Sequence, residues 1–494
     1  MIANVKNAPL HLHLHHVTAT SGHHHSTIRQ NPHRKPPNKA TKLAESLSQI
    51  VNLRIETAIQ KTLHRSSLPN LPSLDDKYDT PTSSPREDIS ATWRELHGSR
   101  DWDGLLDPLD PSLRREIVKY GELAQATYDA LDSEPSSEYC GSCQYSRRRL
   151  LSQLGLDHSG YHVTKYIYAT SSLVGWLERT PRPADGDSNW MGFVAVSGDE
   201  ESRRIGRRDV AVAWRGTVAP SEWYDNMQSR LEPVGRGDAM VERGFLSIYS
   251  SKSRTSRYNR SSASEQAMVE IQRLVNHYRA LSEEVSLTVT GHSLGAALAQ
   301  LNAYEAANNF PGLPVSVISF AAPRVGNIAF RDELYQTGVK TLRLTVRQDV
   351  VPRMPGIVFN EGLQRFDELT GTLEWVYTHA GVELRLDARA SPYLKKGLNP
   401  IGFHMLETYL HLVDGFSGSG SGFRVEAKRD VALVNKDCDM LVDELRVPVN
   451  WYQPENKGLR RNRYGRWVKP EREPEDEPEP QPGWEEDGSM YQVY

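Results

Sequence analysis

Val285-Ser-Leu-Thr-Val-Thr-Gly291-His292-Ser293-Leu294-Gly295-Ala-Ala-Leu-Ala299 is the stretch on which the fold turns. Val285–Thr290 is rich in β-branched side chains and reads as a buried strand. Leu294–Ala307 reads as a strong helix, and the pattern G-x-S-x-G bridges the two at Gly291–Gly295. A strand that runs straight into a helix must bend sharply. The bend puts the serine on a strained backbone with its Oγ exposed, and glycines on either side let strand and helix approach closely. The start of the helix aims backbone N–H groups at negative charge developing there. Five such residues are a weak signal alone; in a strand–turn–helix setting they make Ser293 a candidate nucleophile.

Outward from this turn the same alternation continues. Val163–Tyr168, Trp190–Val196 and Asp209–Trp214 read as strands before it, Val315–Phe320 and Leu342–Val346 as strands after it. Pro111–Leu131 carries Leu113, Ile117, Tyr120, Ala124, Tyr128 and Leu131 on one helical face; Ala263–Tyr278 does the same with Met268, Ile271, Leu274 and Val275. Strands alternating with helices predict an α/β fold, a mostly parallel central sheet flanked by helices. A site in such a sheet belongs at the carboxyl ends of its strands.

A nucleophilic serine needs an acid and a base, in chain order Ser, Asp, His for this kind of turn. Asp349 follows the strand Leu342–Val346 by three residues and precedes a Pro-bearing loop; Asp367 and Asp387 are rivals. For the base, His404 competes with His411, seven residues on along one helical segment, and with His379. Gly402-Phe403-His404 supplies a helix start from which a ring can project into a cleft, which favours His404. An oxyanion hole needs two donors. One is the N–H of Leu294, after the nucleophile; the other is expected from Thr217, in Trp214-Arg215-Gly216-Thr217 at the end of an earlier strand. This chemistry calls for no metal and no organic cofactor.

Composition bounds the partners. The net charge of −4 over 494 residues gives no basic field, so nothing points to nucleic acid. No run of 18 apolar residues exists, so no transmembrane segment is expected and contact with lipid would be peripheral. Three cysteines are too few for a disulfide framework. Cys140-Gly-Ser-Cys143 lacks a second pair for zinc and reads as ordinary thiols before a redox motif. Residues 1–44 hold no Asp or Glu, six Lys or Arg and eight of the 17 histidines, with no apolar core of a secretory signal. That pattern reads as an organellar transit peptide, chloroplast ahead of mitochondrion, against a plain disordered tail. His23, His24 and His25 sit in it without the preorganisation a metal site needs. The expected organisation is a disordered transit-like segment over 1–50, a linker over 51–88 with room for one short helix, a catalytic domain over 89–452, and a disordered acidic Pro-rich tail over 453–494.

Taken together, Ala213–Thr217, Val241-Glu-Arg-Gly-Phe-Leu246, Gly291–Ala299, Phe320-Ala-Ala-Pro-Arg-Val-Gly-Asn327 and Asp349 resemble the class 3, fungal-type lipases of the α/β-hydrolase fold. Within that family, Tyr145-Ser-Arg-Arg-Arg149, His404-Met-Leu-Glu-Thr-Tyr-Leu-His411 and Val431-Ala-Leu-Val-Asn-Lys436 are similar to plastid class I phospholipases A1 of plants. The resemblance covers roughly 90–450. It implies a triad of Ser293, Asp349 and His404. It also implies cleavage of the sn-1 ester of glycerolipids such as phosphatidylcholine, galactolipids and, more weakly, triacylglycerol, with a chloroplast location at plastoglobules or at thylakoid or envelope membranes. Met405 departs from the polar residue usual after the histidine. Val218–Glu232, with Trp223, Tyr224, Met227 and Leu231, is the expected lid. An esterase of small soluble esters and a catalytically silent lipase-like signalling module are the alternative readings.

Overall fold

The computed structural model describes residues 87–133, 137, 139–170, 188–217, 230–235, 237–256, 258–355, 376–424, 427–452, 460–461, 464 and 467–468. The expected transit segment, nearly all of the linker and the acidic tail fall outside these residues, as do most of the expected lid and Asp367.

A seven-stranded sheet organises the described chain. Its strands are β1 (Tyr161–Ala169), β2 (Asn189–Ser197), β3 (Arg208–Trp214), β6 (Val285–His292), β7 (Val315–Phe320), β8 (Lys340–Val346) and β9 (Val382–Leu386), and they lie side by side in that order. β1–β2 and β2–β3 are antiparallel, while β3–β6, β6–β7, β7–β8 and β8–β9 are parallel. β4 (Leu231–Pro233) and β5 (Met240–Glu242) pair antiparallel outside this sheet. Every residue of β2, β3, β6 and β7 is buried. That is the pattern of strands covered on both faces, and it confirms the mostly parallel, helix-flanked α/β arrangement.

One face is covered by α1 (Pro111–Asp129), with α6 (Pro400–His404) and α7 (Leu406–Gly415). Asp110 caps α1 by accepting from the N–H groups of Ser112 and Leu113, and Pro111 occupies the first turn. The other face is covered by α2 (Arg243–Ser250), α3 (Ala263–Ala280), α4 (Leu294–Asn309) and α5 (Ile328–Gln336). Ser262 and Glu265 close a reciprocal capping box at the start of α3. Thirteen of the sixteen residues of α4 are buried, because it is apolar all round and packs between the sheet and its neighbours.

One expectation is corrected. His404 and His411 do not share a helix. The backbone of Met405 turns to φ −63°, ψ 135°, which ends α6 and starts α7 in a new direction. Cys140, Cys143 and Cys438 are buried and unlinked, and the Cys143 thiol donates to Tyr166 Oη at 3.3 Å.

Candidate active site

The site is assembled at the carboxyl ends of β3, β6 and β8. Ser293 follows β6 directly, at φ 58°, ψ −125°. Such a backbone costs about 1–3 kcal/mol for a residue with a side chain, and it persists where surroundings overdetermine it. Here they do. The Ser293 N–H donates to Phe320 O at 2.9 Å, and Ser293 O receives the N–H of Ala296 at 3.0 Å. The flanking glycines are required by space: a Cβ at Gly291 would lie 2.3 Å from Gly295 O, and one at Gly295 would lie 2.3 Å from Trp214 O. The second contact also shows how closely the end of β3 presses on the start of α4.

Three side chains then join in a line. Ser293 Oγ is 2.9 Å from His404 Nε2, and His404 Nδ1 is 2.8 Å from Asp349 Oδ2. All three are buried, Asp349 and His404 to within 1% of full burial. A carboxylate only accepts, so Nδ1 carries the proton and Nε2 offers its lone pair to the serine hydroxyl. Asp349 is itself fixed: Oδ1 accepts from Val351 N–H at 2.9 Å, and Oδ2 also accepts from the Tyr409 hydroxyl at 2.7 Å. Its own N–H closes a turn onto Val346 O at 2.9 Å, at the end of β8.

The remaining sequence candidates fall elsewhere. Asp387 caps a short turn, accepting from Arg389 N–H at 2.9 Å and from the Gln348 amide at 2.6 Å. His411 pairs with Ser391 Oγ at 2.8 Å, and burial pushes its pKa down to about 3. His379 meets Pro352 O at 2.7 Å; burial first, then Arg343 and Arg324, push it down to about 3. Leu294 is the first residue of α4, so its N–H belongs to the open end of that helix. Thr217 ends the described part of the loop after β3; its Oγ1 is buried and has no hydrogen-bond partner among the described residues. An orphaned buried hydroxyl is costly unless something else uses it.

Sequence reasoning missed three groups around this line. Tyr409 was hidden in an apolar helix. Tyr128 was read only as part of a core face. His292 was read only as the variable position of the turn. Its Nδ1 lies 2.8 Å from Tyr128 Oη and its Nε2 2.7 Å from the carbonyl oxygen of His404. No local pattern announces partners 164 and 112 residues apart. Among the described residues, no group of three or more His, Cys, Asp or Glu side chains is arranged to hold a metal ion, and no helix is long and apolar enough to cross a membrane.

A hydroxyl on a strained strand–helix turn, hydrogen-bonded to an imidazole that is held by a buried carboxylate, defines the serine hydrolase class of the α/β-hydrolase fold. The class 3 lipase family matches residues 211–359, which contain the Gly291–Gly295 turn and Asp349. Phospholipase A1-Igamma1, chloroplastic, of Arabidopsis thaliana is 45% identical over 77% of this chain and 78% of its own length. Phospholipase A1-Igamma2, chloroplastic, of the same plant is 44% identical over 77% and 76%. Phospholipase A1-II 4 of Oryza sativa subsp. japonica is 44% identical over 78% and 96%. The chain belongs to the class 3 lipase family, in its phospholipase A1 branch.

Proposed function

We propose that this chain is a serine lipid acylhydrolase that cleaves the sn-1 acyl ester of membrane glycerolipids, with Ser293 as nucleophile, His404 as general base and acid, and Asp349 as the group that orients it. The observation that carries the reading is the unbroken line Ser293 Oγ–His404–Asp349, with hydrogen bonds of 2.9 and 2.8 Å. His404 Nε2 takes the hydroxyl proton as Oγ attacks the ester carbonyl. The negative charge forming on the carbonyl oxygen is met by the Leu294 N–H and by Thr217, whose hydroxyl has no partner among the described residues and is suited to it. His404 then passes its proton to the departing lysolipid oxygen. Water, deprotonated by the same imidazole, attacks the acyl-serine and releases the fatty acid.

Phospholipid is the favoured substrate because the matched relatives are named phospholipases A1. Galactolipids, and triacylglycerol to a lesser degree, are proposed beside it. The chloroplastic relatives and the acid-free N-terminus support a plastid location, at plastoglobules or thylakoid or envelope membranes, with peripheral contact to the lipid surface.

The test uses phosphatidylcholine with different acyl chains at its two positions. Wild type is expected to release the sn-1 fatty acid, and Ser293→Ala to release neither. Hydrolysis by the alanine variant would overturn the mechanism; release of the sn-2 acid would overturn the positional assignment alone.

A further inference from the structure

Behind the reacting groups, a second line of buried hydrogen bonds joins the two halves of the site. His292 Nε2 lies 2.7 Å from His404 O, a carbonyl that can only accept, so Nε2 carries a proton. Burial, and then the neighbouring His404, hold the His292 pKa well below the ordinary histidine range, so the ring is neutral. Its Nδ1 is therefore an acceptor, and the Tyr128 hydroxyl donates to it at 2.8 Å. The same hydroxyl receives the backbone N–H of Gly216. Packing there is tight: a Cβ at Gly216 would lie 2.2 Å from Tyr128 Oη and 2.5 Å from His292 O. Buried Arg215 pins that loop further, donating to Gly216 O and to Trp190 O, each at 2.9 Å.

We infer that Tyr128 and His292 are positioning residues that tie the oxyanion loop Gly216–Thr217 to the backbone of His404, so that the base and the oxyanion donors keep one register. The inference rests on the serine-hydrolase reading above. The line is directional: Gly216 N–H to Tyr128 oxygen, Tyr128 O–H to Nδ1, Nε2–H to the His404 carbonyl. Only one tautomer of His292 satisfies it. Without the Tyr128 hydroxyl, only the His404 carbonyl still favours that tautomer, and Nδ1 loses the donor that Tyr128 supplies. The alternative, with the proton on Nδ1, turns a lone pair toward the His404 carbonyl and loosens the backbone from which the base projects. Small displacements of a catalytic group cost rate more than affinity.

The test compares Tyr128→Phe, His292→Gln and His292→Leu with wild type on a soluble short-chain ester, with nitrogen-15 NMR of the imidazoles and thermal unfolding alongside. Tyr128→Phe keeps the ring and removes only the hydroxyl; kcat is expected to fall about tenfold with KM within about twofold. In the spectrum, the His292 Nδ1 resonance, having lost the Tyr128 donor, should shift from its wild-type position. His292→Leu is expected to lose about a hundredfold in kcat. His292→Gln, whose amide N–H can reach the same carbonyl, should recover most of that loss. A Tyr128→Phe enzyme with wild-type kcat and an unchanged His292 spectrum would overturn the inference. So would equal losses in the glutamine and leucine variants. Should the leucine variant not fold, the Tyr128→Phe rate and spectrum decide. Ser293→Ala separates the two levels. If it is inactive, a normal Tyr128→Phe refutes this inference alone; if it stays active, the serine reading falls and this inference with it.

Discussion

Asp349→Asn should lower kcat by about 10⁴-fold, equivalent to roughly 5 kcal/mol, while leaving the fold intact. The size can be traced to the bonds around the carboxylate. Oδ1 accepts from Val351 N–H, and Oδ2 accepts from both His404 Nδ1–H and the Tyr409 hydroxyl. An amide has one acceptor oxygen for these two positions. With that oxygen toward Val351, the NH₂ group faces His404 and forces the proton from Nδ1 to Nε2. His404 then points a hydrogen, not a lone pair, at Ser293 Oγ. Flipping the amide restores the useful tautomer but leaves Val351 N–H facing a donor, a buried mismatch of about 1–3 kcal/mol. The remainder comes from losing a negative charge beside the imidazolium in a buried site, for which about 3–5 kcal/mol is typical. The assay is kcat on a short-chain nitrophenyl ester, with circular dichroism to verify folding. Asp387→Asn serves as the control and is expected to stay within about twofold of wild type, since Asp387 bonds Arg389 N–H and the Gln348 amide and not His404. Asp349→Asn retaining more than about a tenth of wild-type kcat would refute the assignment of the acid.

Two further predictions concern ionisation and the rival histidine. Burial raises the Glu242 pKa to about 7, against the pull of the Gly244 and Phe245 N–H groups it caps. A carboxyl whose folded pKa lies above its unfolded value favours folding in its protonated form. Its contribution is complete below about pH 4.5 and is lost as pH rises through about 7. Glu242→Gln should therefore remove a loss on the order of 3 kcal/mol between pH 4.5 and 8; equal pH slopes of denaturant-unfolding free energy in the two proteins would refute this. His411→Gln should keep kcat within about threefold, since the ring bonds Ser391 and not Ser293. Its folded pKa of about 3 lies below the unfolded value, so its stability contribution holds above about pH 6.5 and fades as pH falls. The variant should accordingly lose stability less steeply than wild type from pH 6.5 downward, and a hundredfold loss of kcat would return His411 to the list of bases.

Legibility in the sequence followed the range of the physics. The Gly291–Gly295 turn was readable because its sequence signals are local: β-branched residues before it, a glycine on either side of the serine, an apolar helix after it. β9 was not read, although Val382-Glu-Leu-Arg-Leu386 alternates cleanly, because five residues with two charges also suit a loop. It lies at the edge of the sheet, where one face meets water and charges such as Arg385 are tolerated. The break at Met405 was equally hidden. The segment His404–Gly415 has an unbroken helical pattern, while its two histidines bond distant partners, His404 with Ser293 and Asp349 and His411 with Ser391.

The proposed acid, Asp349, was legible in the sequence because sheet geometry limits where such a group can stand. β7 lies between β6 and β8, so the strand ends that carry Ser293 and Asp349 are two spacings apart, about 10 Å. Serine and aspartate side chains are too short to meet across that gap. One imidazole, with a hydrogen bond of 2.9 Å on one side and 2.8 Å on the other, fills it. Asp387, at the end of β9, stands one strand further from β6 than Asp349 does. The histidine has no such constraint. It need only reach the gap from above, so it arrives on a segment outside the sheet, and its position is set by contacts that span the chain: Tyr409 on Asp349, and His292 on its own carbonyl.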